Sequence, residues 1–285
     1  MKYATLFTMT VSFILCLIYP CFTKDYPEES LWLYQQGKLF YEHREYEKAI
    51  EEWQKALEAD PEMSLASFGI AMAYSAMGEN EESKKYYEKT IQSDPAFWQA
   101  YYNLGLAYKK SGDIDESIKY YERAAELAPD KADILNNLGV AYKEKGEQEK
   151  AVKTFEKALK INQKDPDLNY NIALVYDLMN KKEMAIKYYN KAIELKPEDV
   201  NSLNNIGLIY KKEGSMELAL EHFKKALKVN DNIPVLHYNL GLVYYEKGDK
   251  LAALAEFKKY LELNPDAANA GEVEELIQEL ESNNQ

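Results

Sequence analysis

Residues 101–108 read YYNLGLAY, and four variants of this phrase follow along the chain. They are LNNLGVAY at 135–142, NYNIALVY at 169–176, LNNIGLIY at 203–210 and HYNLGLVY at 237–244. Each phrase begins 34 residues after the previous one. A fixed period of this length indicates an array in which one small unit is stacked on the next. The functions to consider are therefore those that use a long surface.

The pattern inside each unit is that of two packed helices. Counted from Ser30, seven units of 34 residues run to Ala267 without insertion or deletion. The eighth place is always tiny: Gly37, Ala71, Gly105, Gly139, Ala173, Gly207 and Gly241. The twenty-fourth is always a ring: Trp53, Tyr87, Tyr121, Phe155, Tyr189, Phe223 and Phe257. Small residues let two helices approach closely and large ones fill the grooves beside them. A glycine where the first helix must turn, and a proline after the second, complete the signature of a helix–turn–helix hairpin.

These positions resemble those of the tetratricopeptide repeat, over about residues 30–267. The resemblance implies an all-α, right-handed superhelical solenoid. Departures from the family pattern are mild, such as Gln36 at a place that is normally apolar. The expected hairpins are 30–63, 64–97, 98–131, 132–165, 166–199, 200–233 and 234–267. Residues 268–285 are expected to form a capping helix and tail, since Val273, Leu276, Ile277 and Leu280 have amphipathic spacing and an open array end exposes apolar surface.

The first 23 residues are of another kind, followed by a short linker at 24–29. Lys2 precedes an apolar run from Leu6 to Tyr19, which fits a secretory signal. Three interpretations stay open: a cleaved signal, a lipoprotein signal acylated at Cys21, and a retained membrane anchor. All three predict an exported protein of a bacterial periplasm or cell envelope. If cleavage falls near Thr23, the mature chain has no cysteine.

Composition argues against nucleic acid and against catalysis. The net charge is −13, which disfavours binding to phosphate backbones. The three histidines, His43, His222 and His237, have no partner at a metal-ligand spacing. Each glycine is explained by packing or by a turn, so no phosphate-binding loop is present. We therefore expect no enzyme, no metal and no cofactor.

In the resembled family, the first helices of successive repeats line a groove that receives peptides or partner helices. One candidate row here is a ladder of asparagines, one in each of the last five units: Asn103, Asn137, Asn171, Asn205 and Asn239. An amide offers donor and acceptor together, so a ladder can hold a peptide backbone. The row resembles the ladder of O-GlcNAc transferase, although asparagine is also common at this place in the family. Units one and two hold Gln35 and Gly69 instead.

Three further rows would lie beside the ladder. Tyr102, Tyr170 and Tyr238 are candidate contact points that could equally pack between repeats. An apolar row occupies the place where peptide-clamping relatives often carry asparagine, which argues against a carboxylate clamp: Leu106, Val140, Leu174, Leu208 and Leu242. Lys109, Lys143 and Lys211 are candidates for steering an acidic peptide, or ordinary surface lysines.

The sequence thus favours a non-catalytic scaffold that binds a peptide or helix of a partner protein in the groove, in the assembly of a larger complex. Two alternatives stay open. One is a periplasmic holdase-like chaperone of broad specificity, which the apolar row would suit. The other is an accessory subunit that presents substrates to a separate enzyme.

Overall fold

The computed structural model describes residues 26–282, and in this range the chain is helical with no strand. Fifteen helices follow one another in this part of the chain. In order they are α1 Glu28–Glu42, α2 Tyr46–Ala59, α3 Ser64–Met77, α4 Asn80–Ser93, α5 Trp98–Lys110, α6 Ile114–Leu127, α7 Ala132–Lys145, α8 Gln148–Ile161, α9 Pro166–Leu178, α10 Lys182–Leu195, α11 Val200–Lys212, α12 Met216–Val229, α13 Pro234–Glu246, α14 Lys250–Leu263 and α15 Ala270–Ser282.

The helices pair as consecutive hairpins, each with a first and a second helix, such as α1 with α2 and α13 with α14. The chain divides into two compact units. The first unit ends at Ile134 and the second begins at Leu135, inside α7. The all-α solenoid class and the hairpin predicted from the sequence are confirmed.

The two helices of a hairpin approach closely because the small residue at the eighth place packs against the ring at the twenty-fourth. A Cβ atom built on Gly105 would lie 2.5 Å from the Tyr121 ring. The Tyr121 side chain is fully buried in this position. Burying a ring of this size contributes roughly 2 kcal/mol. The pairing therefore sets the distance between α5 and α6 and forms part of the core.

The turn between the two helices of a hairpin uses a left-handed residue at every repeat. Five of the seven are glycines, for example Gly214 with φ 76°. The other two are Arg44 and Asn180, with φ of 63° and 57°. Glycine adopts this conformation without a Cβ penalty, asparagine tolerates it, and arginine does so at some cost.

Helix starts are marked where the sequence supplies a capping side chain. Asp165 accepts hydrogen bonds from the backbone N–H groups of Asp167 and Leu168, at 2.9 and 3.1 Å. Pro166 occupies the first turn of α9, where its missing N–H costs nothing. These two residues fix where the first helix of the fifth hairpin begins.

The last helix, α15, packs on the final hairpin. Val273 and Leu280 are 1% and 2% exposed and share a core cluster with Phe257 and Tyr260 of α14. Residues 1–25 lie outside the described part of the chain, and with them the predicted signal or anchor and Cys21. Among the residues that are described, no helix has the length and hydropathy needed to span a bilayer.

Candidate peptide-binding surface

The asparagine ladder joins successive hairpins of the second unit. The Nδ2 atom of Asn171 donates to Oδ1 of Asn136 in the preceding hairpin at 3.0 Å. The Nδ2 atom of Asn239 donates in the same way to Oδ1 of Asn204 at 2.9 Å. Asn136 and Asn204, each of which directly precedes a ladder residue in the sequence, thus form one network with the ladder, and part of each amide is already bonded within the protein.

Asn205 completes this network through hydroxyl groups. Its Nδ2 atom lies 3.1 Å from the Tyr189 hydroxyl and 3.4 Å from the Tyr170 hydroxyl of the preceding hairpin. Burial raises the pKa of Tyr189, and the bond from Asn205 opposes this rise only in part. The Tyr189 side chain is fully buried, so Asn205 supplies a partner that water cannot.

The remaining ladder residues differ in their surroundings. Asn103, in the first unit, donates to the backbone oxygen of Gln99 one turn earlier in its own helix, at 2.9 Å. Asn137 is half-buried in α7. Asn239 is 6% exposed, which leaves little of its amide for a ligand. The ladder is therefore partly structural, and contact of its members with a ligand stays a prediction.

The tyrosines predicted beside the ladder each pack on the aromatic side chain at the twenty-fourth place of the same hairpin. Tyr102 lies 5.8 Å from Tyr121 between ring centroids, and Tyr170 lies 5.7 Å from Tyr189. Tyr238 lies 6.3 Å from Phe257 and 5.2 Å from Tyr260. All three predicted tyrosines are half-buried. Each therefore has one side fixed by the core and some surface left for a partner.

The predicted lysine row carries less free charge than its sequence suggests. The Nζ atom of Lys211 forms an ion pair of 2.8 Å with Glu246 of the next hairpin. Lys109 and Lys143 are half-buried in the last turns of α5 and α7. Asp177, at the equivalent place of α9, is exposed. The surface is consequently of mixed charge, and steering of an acidic peptide stays a prediction.

Large apolar side chains are exposed on these first helices. Leu106 and Leu208 are 37% and 38% exposed. The other members of the predicted apolar row are half-buried: Val140, Leu174 and Leu242. Leu178, at the end of α9, is 62% exposed, and Val235, in the first turn of α13, is 49% exposed. Apolar side chains held in water at successive hairpins are suited to binding an apolar segment of a partner.

Sequence reasoning missed Leu178 and Val235, although the repeat contains a signal for Leu178. The other hairpins carry charged or small residues at its place: Glu42, Ala76, Lys110, Glu144, Lys212 and Glu246. A single leucine among them departs from the pattern without a packing reason, since it is exposed. Comparison across the repeats at exposed positions would have found it.

The ladder begins at the third hairpin and does not extend into the second, for a steric reason. Gly69 stands at the place of the ladder asparagine, and a Cβ atom there would lie 2.7 Å from the Trp53 ring of the first hairpin. The same ring lies 2.5 Å from a Cβ built on Gly37. The indole thus fills the space on both sides, and no asparagine fits at residue 69.

The described residues contain no group of three or more histidine, cysteine or acidic side chains that could hold a metal ion. His237 is bonded to both of the last two hairpins, with Nδ1 2.7 Å from Glu256 of its own hairpin and Nε2 2.8 Å from the backbone oxygen of Asp231 at the end of the preceding one. The chemistry that this surface offers is recognition, through amides, half-buried rings and exposed leucines on the first helices of the hairpins.

Models of the tetratricopeptide repeat match most of the chain, at residues 30–63, 66–97, 99–164, 166–199, 208–248 and 234–267. The chain belongs to the tetratricopeptide-repeat family. Proteins of this family are generally non-catalytic and bind other proteins or peptides.

Solved structures place this tetratricopeptide-repeat protein among solenoids of known fold. Crystal structures of MamA include one with 28% identity and a TM-score of 0.55, over 57% of this chain and 95% of that one. The C-terminal part of a repeat protein from Cytophaga hutchinsonii is 18% identical, with a TM-score of 0.71 over 84% and 98% of the two chains. YrrB, described as having an unusual peptide-binding site, is 24% identical, with a TM-score of 0.53 over 66% and 97%. No curated protein matches the chain.

Proposed function

We propose that this chain is a scaffold of the cell envelope that binds an apolar peptide or helix of one partner protein across hairpins five to seven. The observation that carries the proposal is the exposure of Leu178, Leu208 and Val235, on α9, α11 and α13. These three helices occupy equivalent places in successive hairpins of the second unit. A segment lying across them would remove three large apolar side chains from water.

The amide network supports this proposal because it fixes the surface before a ligand arrives. The bonds from Asn171, Asn205 and Asn239 each reach back to the preceding hairpin. A surface held in this way loses little conformational entropy on binding, so more of the contact energy is available as affinity. YrrB, which shares the fold, has a peptide-binding site.

The envelope location of the proposal rests on residues 1–23 alone. Their short positive start and apolar run fit an export signal or anchor. Retention of that segment or acylation of Cys21 would hold the scaffold at a membrane.

The test is a crosslinking pull-down from envelope extract with the full chain and two variants. In the first variant, Leu178→Asp and Leu208→Asp place charge on the proposed surface. In the matched control, Leu251→Asp changes a leucine that is 71% exposed on α14, a second helix. Circular dichroism checks that all three proteins are folded.

The proposal expects one dominant protein that the native chain and the control capture and the double variant does not. Identical capture by all three chains would overturn it. Leucine variants are preferable to asparagine variants here, because removing an amide would also disturb the bonds between hairpins.

A holdase-like chaperone is the second candidate, and the same exposed leucines favour it. It differs from the scaffold in ligand range. If the native chain captures many unfolded proteins weakly, with no dominant one, and the double variant captures none of them, the result would support the chaperone.

A further inference from the structure

The second helix of the fourth hairpin, α8, has an excess of positive charge that no other second helix matches. Residues 148–164, which comprise α8 and the turn after it, hold five lysines and two glutamates. The equivalent residues of the third hairpin, 114–130, hold five acidic residues and two basic ones. Because the whole chain has a net charge of −13, α8 is a local positive surface on an acidic protein.

The lysines of α8 form a row on one side of the helix. Lys153, Lys157 and Lys160 follow one another at spacings of four and three residues, which places them on the same side. Lys164 follows in the turn after the helix, and all four side chains are exposed. Within the described part of the chain, none of the four forms an ion pair. We call these four residues the α8 lysine row.

The row lacks the carboxylates that neutralise the same place in other hairpins. The place of Lys157, the twenty-sixth, is basic in every hairpin. In four of them the cation forms an ion pair with a glutamate at the twenty-second or twenty-ninth place: Lys55 with Glu51, Lys225 with Glu221, Arg123 with Glu126 and Lys259 with Glu262. In α8 these two places hold Lys153 and Lys160.

This replacement has a cost that packing does not explain. Lysines one turn apart repel each other and destabilise the helix that carries them. Lys153, Lys157 and Lys160 are all exposed, so the core does not require a lysine at any of these places. A departure from the local rule without a gain in packing is typical of a functional site.

The row borders an open depression that has an apolar residue in its lining. The depression has a volume of about 470 Å³ and is lined by Glu156, Leu159, Lys160 and Gln163. Ile161, one turn from Lys157, is 44% exposed. A depression of this size has room for an apolar side chain of a ligand. The outer face of α8 thus offers apolar contact beside positive charge.

The two glutamates of α8 lie at the border of the row. Burial, and then the charge of Glu156, raises the pKa values of Tyr176 on α9 and Tyr188 on α10. The carboxylate of Glu156 therefore faces the fifth hairpin. Glu149, in the first turn of α8, precedes the whole row. The lysines from 153 to 160 consequently face a ligand without a carboxylate paired to any of them.

We propose that the α8 lysine row and the depression beside it bind an acidic amphipathic helix of a partner protein. Carboxylates at spacings of four and three residues on that helix match Lys153, Lys157 and Lys160, and an apolar residue beside them enters the depression. A single helix is small enough to meet only the local positive charge. A membrane or a nucleic acid extends beyond the row and meets the acidic remainder of the protein. The site lies on a second helix, so it does not depend on the surface proposed above on α9, α11 and α13.

Fluorescence anisotropy with two synthetic peptides and the full chain tests the proposal. The first peptide is alanine-rich and about 20 residues long, which is enough for it to be helical alone. It carries glutamates on one side at the spacing of the lysines, with leucines beside them. The second peptide has the same composition, with its glutamates distributed around the helix. We expect the first to bind more tightly, and its binding to weaken between low salt and about 0.15 M salt.

The test variant combines Lys153→Glu with Lys160→Glu, which supplies the carboxylates that other hairpins carry. The matched control makes the same change of charge at Lys187 and Lys228, exposed residues at the same places of α10 and α12. The test variant should bind the first peptide more than about tenfold more weakly than the native chain, and the control should bind it like the native chain. The thermal midpoint of the test variant should equal or exceed that of the native chain, because Lys157 gains partners.

Equal binding of the two peptides by the native chain would overturn the proposal, and so would equal loss of binding in the test and control variants. A lower thermal midpoint of the test variant would assign the two lysines a structural role and contradict it. Flotation with vesicles of phosphatidylcholine, with and without phosphatidylglycerol, examines the membrane. If the test variant loses retention on the anionic vesicles and the native chain does not bind the first peptide, the row belongs to a membrane surface and the proposal is wrong.

Discussion

Asn239 donates its side-chain amide to Asn204 of the preceding hairpin, across 2.9 Å and 35 residues of chain. The same relationship joins Asn171 to Asn136. At the intermediate step a tyrosine hydroxyl replaces the acceptor amide, and Asn205 bonds to Tyr170 and Tyr189. Within the second unit, the row that was expected to hold a peptide also holds the hairpins to one another.

The bond between Asn205 and Tyr189 should be measurable as a coupling energy. Asn205→Ala leaves a fully buried hydroxyl without this partner, which typically costs about 1–3 kcal/mol. Tyr189→Phe removes the hydroxyl itself. In a double-mutant cycle of unfolding free energies, we expect a coupling of about 1 kcal/mol. Additive effects of the two substitutions would show that the bond does not contribute.

Gly105→Ala should destabilise the protein although alanine is the better helix former. The new methyl group would lie 2.5 Å from the Tyr121 ring, and such overpacking costs about 1–3 kcal/mol. Gly271→Ala is the control, because it is also a helical glycine and nothing lies within 4 Å of its added Cβ. Thermal unfolding should give a lower midpoint for Gly105→Ala and an equal or higher one for Gly271→Ala. Equal shifts of the two would show that the ring moves freely.

Gly214→Ala should destabilise for a different reason, since its added Cβ would touch nothing. The φ of 76° is the cause, and a left-handed alanine costs about 1 kcal/mol. Gly214→Asn should lose less, because Asn180 adopts φ 57° at the equivalent turn. Urea unfolding of both variants checks this order. A larger loss for asparagine than for alanine would contradict the conformational explanation.

Alkaline pH should weaken the fold through Tyr120. Burial, followed by the neighbouring Tyr108, raises the pKa of Tyr120 to about 12. The pKa of an unfolded tyrosine is about 10. The unfolded chain therefore loses the proton first, so this contribution to stability is complete below pH 10 and is lost as the pH rises towards 12. We expect Tyr120→Phe to show a smaller loss of unfolding free energy between pH 8 and pH 11 than the native chain. An equal loss would place the alkaline sensitivity elsewhere.

Periodicity predicted the hairpins well because packing within a hairpin uses residues at fixed places, as Gly105 and Tyr121 do. It did not predict the partner of Asn239. That partner lies in the preceding hairpin, and a repeat pattern does not reveal which side of a helix an amide faces. The exposed Leu178 was missed for another reason. A search for recurring residues does not find a leucine that has no counterpart at the same place in the other hairpins. The left-handed Arg44 was not foreseen, because the hairpin imposes its conformation against the preference of the residue.

The indole of Trp53, held against Gly37 and Gly69, has a consequence for how this chain can change over evolution. Interior hairpins whose contacts with the neighbouring hairpins repeat along the array can be duplicated or lost by recombination as whole modules. The first two cannot be separated in this way, because the ring of one needs the bare backbone of the other. We expect them to be inherited as a pair, while the number of modules behind them varies.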